Sequence, residues 1–146
     1  MTTTPTLNGQ VIGMAHYATR AVAERLLTQG ITFHQSLALN AVDAKGGTVE
    51  RVRLVERLTG AAKLDVAVAE RTITELTSAG LLAERDGDGP LLALTPAGES
   101  LVRTHRAALA EVTAKLYGDL PAEDLAAAGR VLTEVTARAD AMLAAG

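Results

Sequence analysis

SAGLLAERDGDGPLLALTPAGE, residues 78–99, is the stretch that decides the architecture. Gly80 follows an apolar-periodic segment, and glycine ends helices because it enters the left-handed region without a Cβ clash. Two short apolar runs come next, Leu81 to Arg85 and Leu91 to Thr95, on either side of Asp86-Gly87-Asp88-Gly89-Pro90. Such a cluster of turn formers between two apolar runs predicts a β-hairpin. Thr95-Pro96 then restarts a helix, with threonine as N-cap and proline at the first helical position. The hairpin tip is unusual: it holds two carboxylates and no cation.

Working outward, Asp65 predicts the N-cap of a helix running to Ala79, with Ala69, Ile73 and Leu76 facing inward. Before it, Thr48 is expected to cap a helix that ends at Gly60 and carries Val49, Val52, Val55 and Leu58 on one side. Lys45-Gly46-Gly47 reads as a turn. Thr32-Phe33-His34-Gln35 has the T-x-x-Q form of a capping box and opens a helix through about Val42. The first helix is expected from Asn8 to about Gln29, with Ile12, Ala15, Val22 and Leu26 at three- and four-residue steps and Gly30 closing it. After the hairpin, Val102, His105, Leu109, Val112 and Leu116 mark a long helix broken at Gly118. Pro121, with Glu123 and Asp124 behind it, starts the last helix. Its stripe is Leu125, Ala128, Leu132, Val135, Ala139 and Met142, an a/d-type seam.

The order helix, helix, helix, helix, hairpin, helix, helix is mainly α with a small β-hairpin, a winged helix-turn-helix. At 146 residues the chain reads as one domain, 1–146, with a winged lobe over 31–96. The helical segments 8–29 and 97–144 are more apolar than so small a module needs, and are expected to dimerise two copies.

Composition narrows the function classes. Alanine dominates a 48% hydrophobic content with one Phe, two Tyr and no Trp, which favours packed helices over a sandwich. No cysteine removes disulfides, thiol redox switching and thiolate metal sites. Neither an 18-residue apolar run nor a signal-peptide pattern occurs, so the expectation is a cytoplasmic chain with no membrane partner. No phosphate-binding loop, no G-x-S-x-G and no paired carboxylates point to catalysis, so neither an enzyme nor a cofactor is expected. A calcium loop beginning at Asp86 would place Ala97 where a carboxylate is required. His16, His34 and His105 form no local metal-ligand spacing, and no metal is expected.

Three segments in order resemble the MarR family of bacterial winged-helix transcriptional regulators. They are ITFHQSLAL (31–39), like the family's L-T-x-x-Q-x-x-x-L helix start, ERTITELTSAGLLAER (70–85), like its recognition helix and first wing strand, and LALTPAGESLV (92–102), like its L-T-x-x-G turn. The resemblance implies an obligate homodimer on a pseudo-palindromic double-stranded DNA operator. It also implies a repressor released by a small molecule bound between dimer helices and DNA-binding lobes. His16, Tyr17, Arg20 and His34 lie on elements that would line that pocket, and they suit an anionic aromatic effector. A mixed polar surface is the alternative.

In a helix-turn-helix the start of the second helix reaches base edges. Val66 and Ala67 can touch thymine methyls, Glu70 can accept from cytosine N4, and Thr74 can contact phosphate or a methyl. Arg71 matches the family's well-placed arginine; the alternative is an i,i+4 ion pair with Glu75. Arg51, Arg53, Lys63 and Arg85 are the candidate phosphate contacts. Yet residues 48–95 hold six cations (Arg51, Arg53, Arg57, Lys63, Arg71, Arg85) against eight carboxylates, leaving −2 in a chain of net −3. Family wings commonly present an arginine where this chain has Gly89-Pro90. DNA affinity rests largely on cations displacing counterions from phosphate. The competing expectation is therefore a winged-helix dimer with weak or lost DNA affinity, acting as a ligand-binding or protein-interaction module.

Overall fold

The computed structural model of the chain describes residues 5–27, 30–85 and 90–146. Six helices and three strands follow in the order α1 (Gly9–Arg25), α2 (Phe33–Ala44), β1 (Thr48–Glu50), α3 (Arg51–Gly60), α4 (Val66–Ser78), β2 (Leu82–Arg85), β3 (Leu91–Leu94), α5 (Pro96–Tyr117) and α6 (Ala122–Ala145). The fold is mostly helical with one three-stranded antiparallel sheet of order β1-β3-β2.

The local signals act through their expected chemistry. Asn8 Oδ1 accepts from Val11 N–H at 2.9 Å and opens α1. Thr32 and Gln35 form the reciprocal capping box, 3.1 Å in each direction. α4 ends at Gly80 (φ +77). Leu81 N–H bonds Leu76 O and Gly80 N–H bonds Thr77 O, which is the Schellman arrangement. Thr95 Oγ1 accepts from Gly98 N–H at 3.0 Å and donates to Gly80 O, so one hydroxyl ties the start of α5 to the end of α4. A Cβ at Gly98 would lie 2.2 Å from Leu81 O, so only glycine lets α5 approach that backbone.

Two expectations are corrected. Thr48 does not cap a helix; it begins β1, which pairs Thr48↔Ala93, Val49↔Leu92 and Glu50↔Leu91. The reason is the free edge of β3: Leu94 N–H reaches Gly47 O at 2.9 Å and draws the segment into the sheet. α3 therefore starts at Arg51, and its phase buries Leu54 and Leu58 while turning Val52 out, 57% exposed. α1 ends at Arg25 rather than near Gln29, and Thr28 and Gln29 lie outside the described residues.

The chain divides into two compact units, residues 1–109 and 110–146. The core of the first joins Leu39 and Val42 of α2, Leu54 and Leu58 of α3, Ile73 and Leu76 of α4, and Leu82 and Leu92 of the sheet. β3 is the central strand, and Leu92, Ala93 and Leu94 are all buried. An ion pair between Arg106 and Asp43 links α5 to α2. The second unit comprises the end of α5, a turn through Gly118 and Pro121, and α6. None of the 24 residues of α6 is buried. Leu125, Leu132, Val135 and Met142 of the expected seam stand exposed, together with Val131 and Leu143.

Candidate nucleic-acid interface

α3 and α4 are joined by a turn in which Lys63 takes a left-handed backbone (φ +59). Its ammonium donates to Gly60 O, and Leu64 N–H closes on Leu58 O at 3.1 Å. Asp65 has the extended backbone of an N-cap, but its carboxylate makes no capping bond. α4 is locked from below, since Ala69, Ile73 and Leu76 are all fully buried. The 3.6-residue period then forces the opposite face outward. That face carries Val66 (60% exposed), Ala67, Arg71 and Thr74, all exposed. Thr74 donates its hydroxyl to Glu70 O at 3.0 Å, which leaves the oxygen lone pairs outward.

The cations divide into two groups. Arg51 is engaged: its Nε and Nη2 lie 3.0 and 2.7 Å from Glu70 Oε2, and its backbone N–H donates to Pro90 O at 3.0 Å. One residue thus joins the start of α3 to the recognition helix through its side chain, and to the wing through its backbone. Arg53 pairs with Glu56 at 3.1 Å on its own helix. Among the described residues Arg57, Arg71 and Arg85 form no ion pair. The i,i+4 alternative for Arg71 is not formed, because Glu75 Oε1 instead receives Gln35 Nε2 at 3.4 Å. Arg85 is exposed at the end of β2, opposite Leu91. Arg57, exposed on α3, is a cation of the lobe that the sequence reading left out of its candidates. Only its solvent-facing phase on α3 distinguishes it, and that phase depends on where α3 begins. The wing tip, Asp86 to Gly89, lies outside the described residues.

Arg20 is committed twice: Nε bonds Glu24 Oε1 at 3.0 Å, and Cζ sits 4.3 Å from the centre of the Phe33 ring, a cation–π contact that fastens α1 to the start of α2. His16 and Tyr17 are exposed neighbours with ring centroids 5.9 Å apart. His34 is half-buried beside Phe33. His16, Tyr17, Arg20 and His34 are absent from the lining of a small cavity in the first unit. Its apolar wall comes from Leu26, Ile31, Leu39, Leu101 and Val102, and its polar members are Ser36, Asn40 and His105. His105 Nε2 is buried there with no hydrogen-bond partner within the single chain. No local spacing marks this cavity, because its walls come from segments far apart in sequence.

Among the described residues no group of three His, Asp or Glu is placed to hold a metal ion. Among the same residues no helix is long and apolar enough to cross a membrane. Comparison with known proteins finds no matching family model and no matching curated protein. Solved structures do match. The Streptomyces coelicolor regulator PcaV, determined with its natural ligand, superposes with a TM-score of 0.74 at 23% identity, over 95% of this chain and 99% of its own. Bordetella bronchiseptica BpsR, whose DNA binding is regulated by 6-hydroxynicotinic acid, gives 0.71 at 24% identity, over 88% and 93%. Oxidised MarR from E. coli gives 0.67 at 19% identity, over 90% and 96%. At these identities the likeness is one of fold, and the fold is that of the MarR-family transcriptional regulators.

Proposed function

We propose that the chain is a DNA-binding transcriptional regulator, a cytoplasmic homodimer that represses from a pseudo-palindromic operator and is released by a small molecule. The observation that carries this reading is α4. It is a helix fixed by three fully buried residues that turns Val66, Ala67, Thr74 and Arg71, which forms no ion pair among the described residues, to solvent. In the proposed complex that face enters the major groove, and Arg71 meets a guanine edge or a phosphate. Arg53, Arg57, Lys63 and Arg85 supply phosphate contacts. The unburied seam of α6 is the proposed contact between two copies, since apolar helix surface of that extent calls for cover. His16, Tyr17, Arg20 and His34 remain the candidates for recognising an anionic effector, Arg20 through the guanidinium nitrogens other than the Nε that meets Glu24.

The test is a gel shift with the DNA upstream of the chain's own gene, at low and moderate salt. Arg53, Arg57, Lys63, Arg71 and Arg85, counted in both copies, set the expected salt dependence. The logarithm of the binding constant should fall with the logarithm of salt at a slope of about −9. No shift at low salt, with folded dimer present, rejects the repressor reading.

A second reading draws on the ion pairs. Arg51–Glu70 and Arg53–Glu56 withdraw two cations from the face that would approach DNA. This supports a winged-helix dimer of weak DNA affinity that serves as a ligand-binding or interaction module. A salt slope near zero would favour it.

A further inference from the structure

We infer that α4 discriminates between DNA sequences chiefly by pyrimidine C5-methyl groups, those of thymine or of 5-methylcytosine, and that Val66 and Ala67 form the reading surface. This deepens the regulator reading above and rests on it. The starting point is what the exposed face of α4 does not offer. Base edges in the major groove present hydrogen-bond donors and acceptors and one apolar feature, the methyl on C5 of thymine. Methylated cytosine carries the same group at the same ring position.

From Val66 to Thr74, Arg71 is the one described side chain with a free donor. Thr72 and Thr74 spend their hydroxyl protons on Val68 O and Glu70 O, at 2.7 and 3.0 Å. Glu70 is held by Arg51. Asparagine and glutamine are the bidentate readers of adenine, and neither occurs in α4. The first turn is apolar instead: Val66 is 60% exposed, and Ala67 beside it is exposed as well. Helix stability does not account for that choice. Valine is stiff at χ1 and a weak helix former, and a first turn facing water is better served by carboxylates, which suit the helix dipole; α4 has none there.

The surface is held from behind, because Ala69 and Ile73 are fully buried. The methyl groups of Val66 and Ala67 are thus presented at a fixed place. Arg71 stands four residues after Ala67, about 6 Å along the helix axis, which is close to two base steps of about 3.4 Å. The methyl being read therefore lies about two base pairs from the step that Arg71 faces. A methyl contact neither needs nor repels charge. It gives specificity to a lobe in which carboxylates outnumber cations, while the arginines and lysine that meet phosphate supply affinity.

The experiment measures binding of the full chain, by gel shift at low salt, to the duplex that it protects upstream of its own gene. Each thymine in turn is replaced by uracil, which removes one methyl and leaves every hydrogen-bonding group in place. Loss of the contacted methyl should weaken binding about fourfold in one half-site and about fifteenfold in both. A C·G pair put at that position and then 5-methylated tests the other source. A gain of about fourfold on methylation makes methylated cytosine a second ligand of the surface; no gain assigns the surface to thymine alone. Val66→Ala shortens an exposed side chain to the better helix former, and in it the uracil penalty should shrink below twofold. Uracil duplexes bound as tightly as thymine duplexes at every position overturn the inference and leave the regulator reading standing. A uracil penalty undiminished in Val66→Ala also overturns it, since the effect then belongs to DNA shape. A folded chain that shifts no duplex at low salt rejects the regulator reading, and this inference with it.

Discussion

Helices α4 and α6 carry apolar stripes of similar regularity and come to different ends. α4, 13 residues long, buries Ala69, Thr72, Ile73 and Leu76 within its own unit. α6, 24 residues long, buries none. Helical periodicity says that a face wants cover and is silent about what covers it. For α4 the cover is intramolecular, and that is what makes its opposite face a rigid platform. For α6 it has to come from elsewhere, and a second copy is the proposal. The largest expected effect follows from putting charge on that seam. Leu132→Glu combined with Val135→Glu should turn a species of about 30 kDa, twice the 15.1 kDa chain, into a monomer by light scattering. Loss of the second half-site should then weaken operator binding by about 10²–10⁴-fold. A double variant that stays dimeric assigns dimerisation to another surface.

Ile73 is fully buried among leucines of α2, α3 and the sheet. Ile73→Ala should lower unfolding free energy by ~2–5 kcal/mol, through lost transfer energy and a residual cavity. Denaturant unfolding of wild type and variant measures this. A cost under ~1 kcal/mol would mean that this core does not anchor α4 and that its outer face is no rigid platform.

Much of this was legible in the sequence wherever one residue type meets one backbone requirement. The Thr32–Gln35 box, Gly80 and Thr95-Pro96 read correctly because capping and left-handed turns are settled within a few residues. β1 was not legible. Thr48, Val49 and Glu50 fit a helix start as well as a strand, and the edge of β3 that claims them lies over 40 residues away. Missing the strand shifted the phase of α3, placing Val52 inside and overlooking Leu54. The cavity was not legible either, for the same reason of distance. Among the candidate contacts, charge counting showed a shortage of cations but not which ones were engaged. Pairing across elements, as in Arg51–Glu70, has no local signature.

Arg71 tests whether the exposed face of α4 does what its rigidity suits it for. Arg71→Ala removes one cation per copy, so the salt slope of a dimer should fall in magnitude by about 2, with affinity down about tenfold or more at low salt. An unchanged slope and affinity would move the DNA contact away from this helix.

The smallest effect belongs to Glu70, and it separates the base-reading role expected from the sequence from the Arg51 clamp seen in the structure. A base-reading Glu70 would lose affinity and specificity when made neutral, since it accepts from cytosine N4. In the structure its Oε2 is instead held by Arg51 at 2.7 and 3.0 Å, and Arg51 also touches the wing through Pro90 O. Glu70→Gln keeps the shape, removes the charge and loosens that clamp. The pair is partly open to solvent, with side chains 24% and 45% exposed. The stability loss should therefore be at most ~1 kcal/mol. DNA affinity should stay level or rise severalfold, because a carboxylate leaves the phosphate-facing side and Arg51 is released toward it. Gel shifts on the same operator, with one cytosine after another replaced across the half-site, give the measurement. A loss of affinity confined to a single cytosine position would make Glu70 a reader. A uniform gain would make it a clamp, and would place Arg51 among the residues held back from DNA by the protein's own charge.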